Sequence, residues 1–219
     1  MVQQMAPPIA ADREATQEAT DEPLRMTLEE FQVWYTEGRR GEWVDGEVIE
    51  FVAPKTMHQE ISVFLSTLLR FFVDTRGLGR VLPQPEMRLR HGGSYREPDL
   101  VFVAAENADR ITAEGVNGPG DLVVEIVSDD SVRRDRKQKF DEYAEAGVRE
   151  YWVIDPRPLR RTVMVYALSD EGLFDPIVPN ERGEIRSVVV PGFWVQPTWL
   201  WGERTPNVVE VLRAIDATS

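Results

Sequence analysis

Apolar residues first recur with helical spacing after residue 26. A capping box over Thr27 to Glu30 marks the start of this helix, because the threonine hydroxyl and the glutamate carboxylate can satisfy backbone N–H groups there. Its apolar face is formed by Leu28, Phe31 and Tyr35. Residues 1–25, in contrast, are polar and acidic without periodicity, which predicts a disordered leader. We therefore expect one folded domain over residues 26–219.

A hairpin and a longer helix are predicted next. Asp45–Gly46 is a strong two-residue turn signal at the centre of a hairpin over residues 41–53. The following helix is predicted to begin at Thr56, in a second capping box with Gln59, and to end at Gly77. Its inward-facing positions are Ile61, Leu65, Leu68, Leu69 and Phe72.

The hydrophobic period then changes to that of β-strands. The predicted strands are Met87–Arg90, Asp99–Val103, Leu122–Val127, Tyr151–Ile154, Thr162–Leu168 and Ile185–Val190. A third helix, Val132–Ala146, lies between two of them, and a last helix is predicted from a cap at Thr205 to Ile215. This order predicts an α/β (α+β) domain, in which a mixed β-sheet core is flanked by helices.

Composition narrows the class of protein. Hydrophobic residues make up 42% and charged residues 29% of the chain, as in a folded globular domain. The chain has no cysteine, which excludes disulfides, thiolate metal sites and a cysteine nucleophile. No apolar run approaches the roughly 18 residues of a membrane span, and residues 1–11 lack a secretory signal. We therefore expect a cytoplasmic protein without a membrane partner.

The charge balance is unusual for a protein that binds nucleic acid. There are 25 Lys and Arg residues against 38 Asp and Glu, a net charge of −13, whereas a basic surface is expected of such a protein. Net charge does not exclude a local basic patch, and basic residues cluster at 133–139 and 157–161.

Two carboxylates stand out against their apolar neighbours. Glu125 interrupts the hydrophobic strand Leu122–Val127, where an ionised carboxylate must be paired, protonated or bound to a cation. Asp99 follows Pro98 at the start of another strand, since proline cannot donate a hydrogen bond within a sheet. An arginine partner for Glu125 and an ordinary turn role for Asp99 are the alternatives. Together the two residues form a candidate site for a hard cation such as Mg²⁺.

The third helix supplies a cation. Asp135, Lys139 and Tyr143 form one stripe beside the apolar stripe of Phe140, so the Lys139 ammonium can extend towards the preceding strand. Lys137 points elsewhere, about 200° around the helix. An acidic pair, a metal ion and a lysine are the groups needed to activate water and to stabilise a phosphoryl transition state.

The order Pro98–Asp99, Glu125 and a lysine resembles the PD-(D/E)XK nuclease superfamily. Within it, the chain looks like the Uma-type restriction endonuclease family from about Met26 to Trp201. The motifs that carry the resemblance are Glu42–Glu47, Pro98–Leu100, Val124–Ser128, Asp135–Tyr143 and Gly147–Pro156.

The resemblance implies a restriction-endonuclease-like fold and Mg²⁺- or Mn²⁺-dependent hydrolysis of DNA. It assigns Asp99 and Glu125 to the metal and to catalysis. The superfamily usually places its lysine two residues after the strand acid, where this chain has Val127, so the catalytic lysine is assigned to Lys139 on the next helix.

Three further residues are accessory candidates, each with a structural alternative. Superfamily nucleases often add an N-terminal acidic residue, for which we choose Glu42 over Glu47, although a solvated hairpin acid is an equal alternative. His58 could orient water or phosphate, or have no role in the first turn of its helix. Tyr143 could bind a site carboxylate, although packing is the favoured role.

Two functions from different classes stay open. One is the nuclease, and the other is a nucleic-acid or protein binding module that keeps the fold without turnover. The acidic net charge favours the second function, while the Asp–Glu–Lys set favours the first. An aromatic group at the C-terminal end, Phe193, Trp194, Trp199 and Trp201, could form a homodimer contact or close over the core, which is the default.

Overall fold

The protein is described by a computed structural model over residues 23–50, 55–90, 93–128, 137–202 and 204–217. Three predictions therefore fall partly or wholly outside these ranges. They are the leader up to residue 22, the end of the hairpin at residues 51–53, and the start of the third helix, including Asp135.

The strands and helices alternate along the chain. The strands are β1 (Leu24–Arg25), β2 (Gly41–Val44), β3 (Glu47–Glu50), β4 (Gly79–Pro83), β5 (Met87–Arg88), β6 (Tyr95–Arg96), β7 (Leu100–Ala104), β8 (Val116–Asn117), β9 (Leu122–Ile126), β10 (Glu150–Asp155), β11 (Thr162–Leu168), β12 (Phe174–Ile177), β13 (Ile185–Arg186) and β14 (Trp194–Val195). The helices are α1 (Leu28–Thr36), α2 (Thr56–Arg76), α3 (Lys139–Ala146) and α4 (Val208–Asp216), with 3₁₀ turns at Ala105–Arg110 and Pro197–Leu200.

A mixed six-stranded sheet forms the centre of the domain. Its strand order is β12-β11-β10-β9-β7-β4. Only the central pair, β9 and β10, is parallel, and α3 lies between these two strands in the chain. A parallel pair requires such a crossover connection. The predicted mixed sheet flanked by helices is confirmed.

A second six-stranded sheet carries the N-terminal hairpin, with the order β1-β3-β2-β6-β5-β8. Asp45 and Gly46 both have positive φ, 49° and 88°, which is the backbone of the predicted two-residue turn. Strand β1 pairs with β3, so Leu24 and Arg25 belong to the folded domain and not to the predicted leader. The two residues are too few for a strand pattern to be visible in the sequence.

Both faces of the central sheet are buried, which explains its continuous apolar strands. Leu100, Leu122 and Trp152 pack with α2 on one face. Alternate residues, including Val123 and Tyr151, pack on the other face with Tyr143 of α3. Because side chains alternate along a strand, Glu125 shares the α3 face with Val123.

Two helices have other N-cap residues than predicted. Lys55, in extended backbone, is the N-cap of α2 without a side-chain capping bond, so Thr56 is already helical and its predicted capping box is wrong. In α4 the cap is Asn207 and not Thr205, because the Asn207 side chain accepts a hydrogen bond from the Val209 N–H at 2.9 Å. Asparagine is as good a cap as threonine.

The predicted strand Ile185–Val190 is also shorter, and Glu150 explains its early end. The Glu150 carboxylate is fully buried and accepts hydrogen bonds from the backbone N–H groups of Val188 (2.7 Å) and Val189 (3.1 Å). The Ser187 hydroxyl and the Trp152 indole also donate to it, at 3.0 and 2.6 Å. These N–H groups are therefore bonded to a side chain instead of a neighbouring strand.

The Glu150 carboxylate gives a test of this fold. All four hydrogen-bonding partners are donors, and glutamine would turn one of its own donors towards them. We expect Glu150→Gln to lower the free energy of unfolding by about 1–3 kcal/mol in urea titrations. Exposed Glu181→Gln is the control and should change it by less than about 0.5 kcal/mol. Equal stability of the two variants would show that the four bonds contribute nothing.

The C-terminal aromatic residues close the core. Phe193 and Trp194 are buried, and the Trp194 and Trp199 rings lie 5.0 Å apart. Trp199 and Trp201 pack partly buried against the same core. The default interpretation fits this packing, while a homodimer contact stays untested. Across the described ranges, no helix combines the length and apolar character that a membrane span requires.

Candidate active site

Antiparallel pairing brings Asp99 and Glu125 together. Leu100 of β7 pairs with Val124 of β9. Because these strands are antiparallel, Asp99, the residue before Leu100, lies opposite Glu125, the residue after Val124. The Asp99 Oδ2 atom accepts a hydrogen bond from the Ile126 N–H at 2.7 Å. Both carboxylates are largely removed from water, with 8% and 4% of each residue exposed.

Lys139, the first residue of α3, reaches these strands from the covering helix. Its ammonium Nζ lies 2.8 Å from Oε1 of Glu125 and 3.0 Å from Oε1 of Glu42. Only 4% of the residue is exposed. Lys137 differs, because its Nζ lies 3.6 Å from Asp141 on the surface and three quarters of its side chain is exposed. The two lysines therefore point in different directions, as the helical spacing predicts.

Tyr143 lies one helical turn after Lys139 and contacts the same carboxylate. Its hydroxyl donates to Oε1 of Glu125 at 2.7 Å, and the side chain is completely buried. Burial raises the pKa of Tyr143 well above its ordinary value, and the negative charges of Glu125 and Glu42 raise it further. The phenol therefore stays protonated and donates. The sequence favoured packing for Tyr143, but the structure shows the carboxylate contact as well.

Glu42 lies inside this cluster, so the solvated-acid alternative is wrong for it. Strand β2 carries it, and only 1% of the residue is exposed. Its Oε1 atom, besides contacting Lys139, accepts a hydrogen bond from the Glu97 N–H at 3.2 Å, and its Oε2 atom lies 3.0 Å from Arg96 Nη1. Glu47, across the hairpin turn, is half-buried at the start of β3.

His58 contacts the second carboxylate oxygen of Asp99. It is the third residue of α2, and its Nε2 atom is 3.1 Å from Asp99 Oδ1. The structure thus places all six predicted site residues in one region: Glu42, His58, Asp99, Glu125, Lys139 and Tyr143.

The sequence that carries these residues matches a known family. Residues 28–198 match the family model Uma2, described as "Putative restriction endonuclease". The chain belongs to the Uma2 family. The matched segment spans every residue of the cluster, from Glu42 to Tyr143.

A solved structure has the same fold as this Uma2 chain. It is a crystal structure from Anabaena variabilis, described as "a putative nuclease belonging to DUF820". The TM-score is 0.64 at 18% sequence identity, and the match covers 80% of this chain and 97% of the other. No functionally curated protein has a detectably similar sequence.

Two residues of this site, Arg96 and Glu142, were not found from the sequence. Arg96 of β6 is 2% exposed and contacts both Glu42 and Glu142 of α3. Strand β6 has only two residues, so alternation of polar and apolar positions could not show that Arg96 points inward. The position of Arg96 three residues before Asp99 is the signal that was available.

The charges of the cluster fit a divalent cation. Its charged side chains are Glu42, Asp99, Glu125, Glu142, Arg96 and Lys139. Four of these side chains are acidic and two are basic, so the described part of the cluster has an excess of acidic groups. No group of three or more His, Asp and Glu side chains there is arranged as a ready-made metal cage. Magnesium is commonly held by one or two carboxylates, with water and phosphate as its other ligands, so Asp99 and Glu125 fit it.

Proposed function

We propose that this Uma2 chain is an endonuclease that hydrolyses phosphodiester bonds in DNA with Mg²⁺ or Mn²⁺. The observation that carries the proposal is the buried Lys139 ammonium, which contacts Glu125 and Glu42 where Asp99 faces Glu125. A carboxylate pair beside a fixed positive charge is suited to phosphoryl transfer. Membership of a family described as restriction endonucleases supports the same class of reaction.

The proposed reaction divides the work among these side chains. Asp99 and Glu125 would hold the metal ion, which when bound would supply Lewis-acid chemistry to the attacking water. The water oxygen forms a bond to phosphorus and releases a proton to solvent, while the bond from phosphorus to one sugar oxygen breaks and that oxygen takes up a proton. Lys139 orients the water and places positive charge beside the phosphoryl oxygens, where negative charge develops.

The other residues hold these groups in place. The Tyr143 hydroxyl fixes Oε1 of Glu125, and His58 contacts Oδ1 of Asp99. Glu42 contacts the Lys139 ammonium through Oε1, at 3.0 Å. Such contacts keep the reacting groups close to the geometry that the reaction requires, and this positioning lowers the activation barrier.

The direct test uses supercoiled plasmid and the pure full-length protein. We expect nicked or linear DNA with Mn²⁺ or Mg²⁺, and unchanged plasmid with EDTA. The second candidate function is a nucleic-acid or protein binding module without turnover, and the net charge of −13, which is unusual for a protein that handles DNA, keeps its protein-binding form open. If the protein binds the plasmid but does not cleave it at any metal concentration, this result would support the binding module and contradict the nuclease.

Metal binding has its own readout that does not depend on cleavage. A ligand that binds only the folded state stabilises it, so Mg²⁺ or Mn²⁺ at 100 times its Kd should add about 2.7 kcal/mol to the free energy of unfolding. We expect the double variant Asp99→Asn, Glu125→Gln to lose this stabilisation in thermal or urea unfolding.

A second double variant controls for the loss of two negative charges. Asp141→Asn with Glu145→Gln removes two acids from the exposed surface of α3, where 68% and 78% of the side chains are accessible. This control should keep the full metal effect. Equal metal affinity in both double variants, measured by calorimetry, would remove Asp99 and Glu125 from the metal site.

A further inference from the structure

Arg96 joins two separate parts of the candidate site. Its guanidinium Nη1 atom donates to Oε2 of Glu42 at 3.0 Å. On the other side, its Nε atom donates to Oε2 of Glu142 at 2.7 Å, and Nη2 also contacts this oxygen. One buried fork therefore connects the N-terminal sheet to helix α3.

The contact with Glu42 follows from strand pairing. Trp43 of β2 pairs with Tyr95 of β6, so the neighbouring residues Glu42 and Arg96 face each other across the two strands. Arg96 binds one oxygen of Glu42, and the other oxygen lies 3.0 Å from the Lys139 ammonium. Rotation of the Glu42 carboxylate would break both contacts, so Arg96, together with the Glu97 N–H that donates to Oε1, fixes the position in which Glu42 binds the Lys139 ammonium.

The contact with Glu142 acts on the helix itself. Glu142 lies three residues after Lys139 and one before Tyr143 on α3. Arg96 thus contacts the helix that carries Lys139, and it also contacts Glu42, whose carboxylate binds the Lys139 ammonium. Burial by itself would lower the pKa of Arg96, but the carboxylates of Glu42 and Glu142 more than offset this and raise it, so the guanidinium is always charged.

We propose that Arg96 is a positioning residue that holds the Lys139 ammonium beside Glu125, acting through Glu42 and Glu142. The role of the Lys139 ammonium in cleavage rests on the proposed nuclease function. The contacts that Arg96 makes with Glu42 and Glu142 do not depend on that function. Arginine is suited to this task because its rigid planar fork fixes the directions of its hydrogen bonds to two carboxylates, whereas a lysine ammonium is a point charge on a flexible stem.

The first test measures single-turnover cleavage in variants that weaken the hold. Arg96→Lys keeps the charge but loses the fork, and Glu142→Gln removes the negative charge that strengthens only the contact with the helix, at a side chain that is 22% exposed. We expect each variant to cleave about 10- to 100-fold more slowly, with the half-saturating DNA concentration within two-fold of the parent. Glu145→Gln, on the exposed face of the same helix, should cleave at the parental rate.

A double-mutant cycle separates positioning from a general structural effect. If Arg96 acts through Lys139, adding Glu142→Gln to Lys139→Ala should cause no further loss. A merely structural role would give the same fold-loss in both backgrounds. A parental rate in Glu142→Gln, or fully additive losses, would overturn the proposal.

A second readout works even if the protein does not cleave DNA. Reductive methylation followed by mass spectrometry compares the modification rates of Lys139 and the exposed Lys137 in one sample. The Lys139 rate should rise at least several-fold relative to Lys137 in Glu142→Gln and Arg96→Lys, and stay unchanged in Glu145→Gln. An unchanged ratio in both positioning variants would overturn the proposal, whereas absence of parental cleavage would contradict only the nuclease function.

Discussion

Replacement of Lys139 by alanine should reduce single-turnover cleavage by a factor of about 100 to 1,000 while metal binding is kept. This is the usual cost of removing one preorganised group that stabilises charge in a transition state. The neighbouring Lys137→Ala should stay within a few-fold of the parent, because the Lys137 side chain is three-quarters exposed and contacts only surface Asp141 among the ion pairs described. Rapid-quench assays with saturating protein measure both variants.

The two lysines make a matched pair for this experiment. They lie two residues apart and carry the same charge, so long-range attraction of DNA would treat them alike. If both variants lose activity equally, and added salt removes their difference from the parent, then the lysines only attract phosphate. Lys139 would then have no place in the mechanism, and the binding module would become the better interpretation.

Glu42→Gln should be among the most destabilising conservative changes in this chain. Its carboxylate contacts Arg96 and Lys139, and all three residues are at most 4% exposed. Breaking a buried ion pair typically costs about 3–5 kcal/mol when its partner is left uncompensated, but here Arg96 keeps Glu142 and Lys139 keeps Glu125. We therefore expect a loss of no more than about 3 kcal/mol in the free energy of unfolding, measured by urea titration without metal.

Glu47→Gln is the control on the same hairpin. Glu47 starts β3 and is half-buried, so its replacement should change stability by less than about 0.5 kcal/mol. A small effect of Glu42→Gln, equal to that of the control, would mean that its buried ion pairs are energetically neutral. The arrangement of Lys139 would then need a different explanation.

Local elements followed closely from sequence because their causes are local. The apolar residues of α2 recur every three or four positions, and all five predicted inward side chains are buried. The Asp45–Gly46 turn needs two positive φ angles, which these residues tolerate better than others. The bounds were less well predicted, since Lys55 and Asn207 take the cap positions of α2 and α4.

The candidate site was predictable to the extent that its residues conflict with their surroundings. Glu125 was visible because it is charged within a hydrophobic strand, and Asp99 because it follows a proline at a strand start. Helical spacing separated Lys139 from Lys137. None of these arguments showed that Glu42 is buried, because a hairpin acid near a turn is usually solvated.

The sequence by itself determined the helices, the hairpin turn, the candidate acids and the lysine that can reach them, since each depends on spacing within a few residues. Only the tertiary structure decided their partners. Arg96 meets Glu42 across 54 positions and Glu142 across 46, and strand register and helix docking bring these residues together. Burial then turns the contacts into strong constraints, because an unpaired charge inside a protein costs far more than one in water.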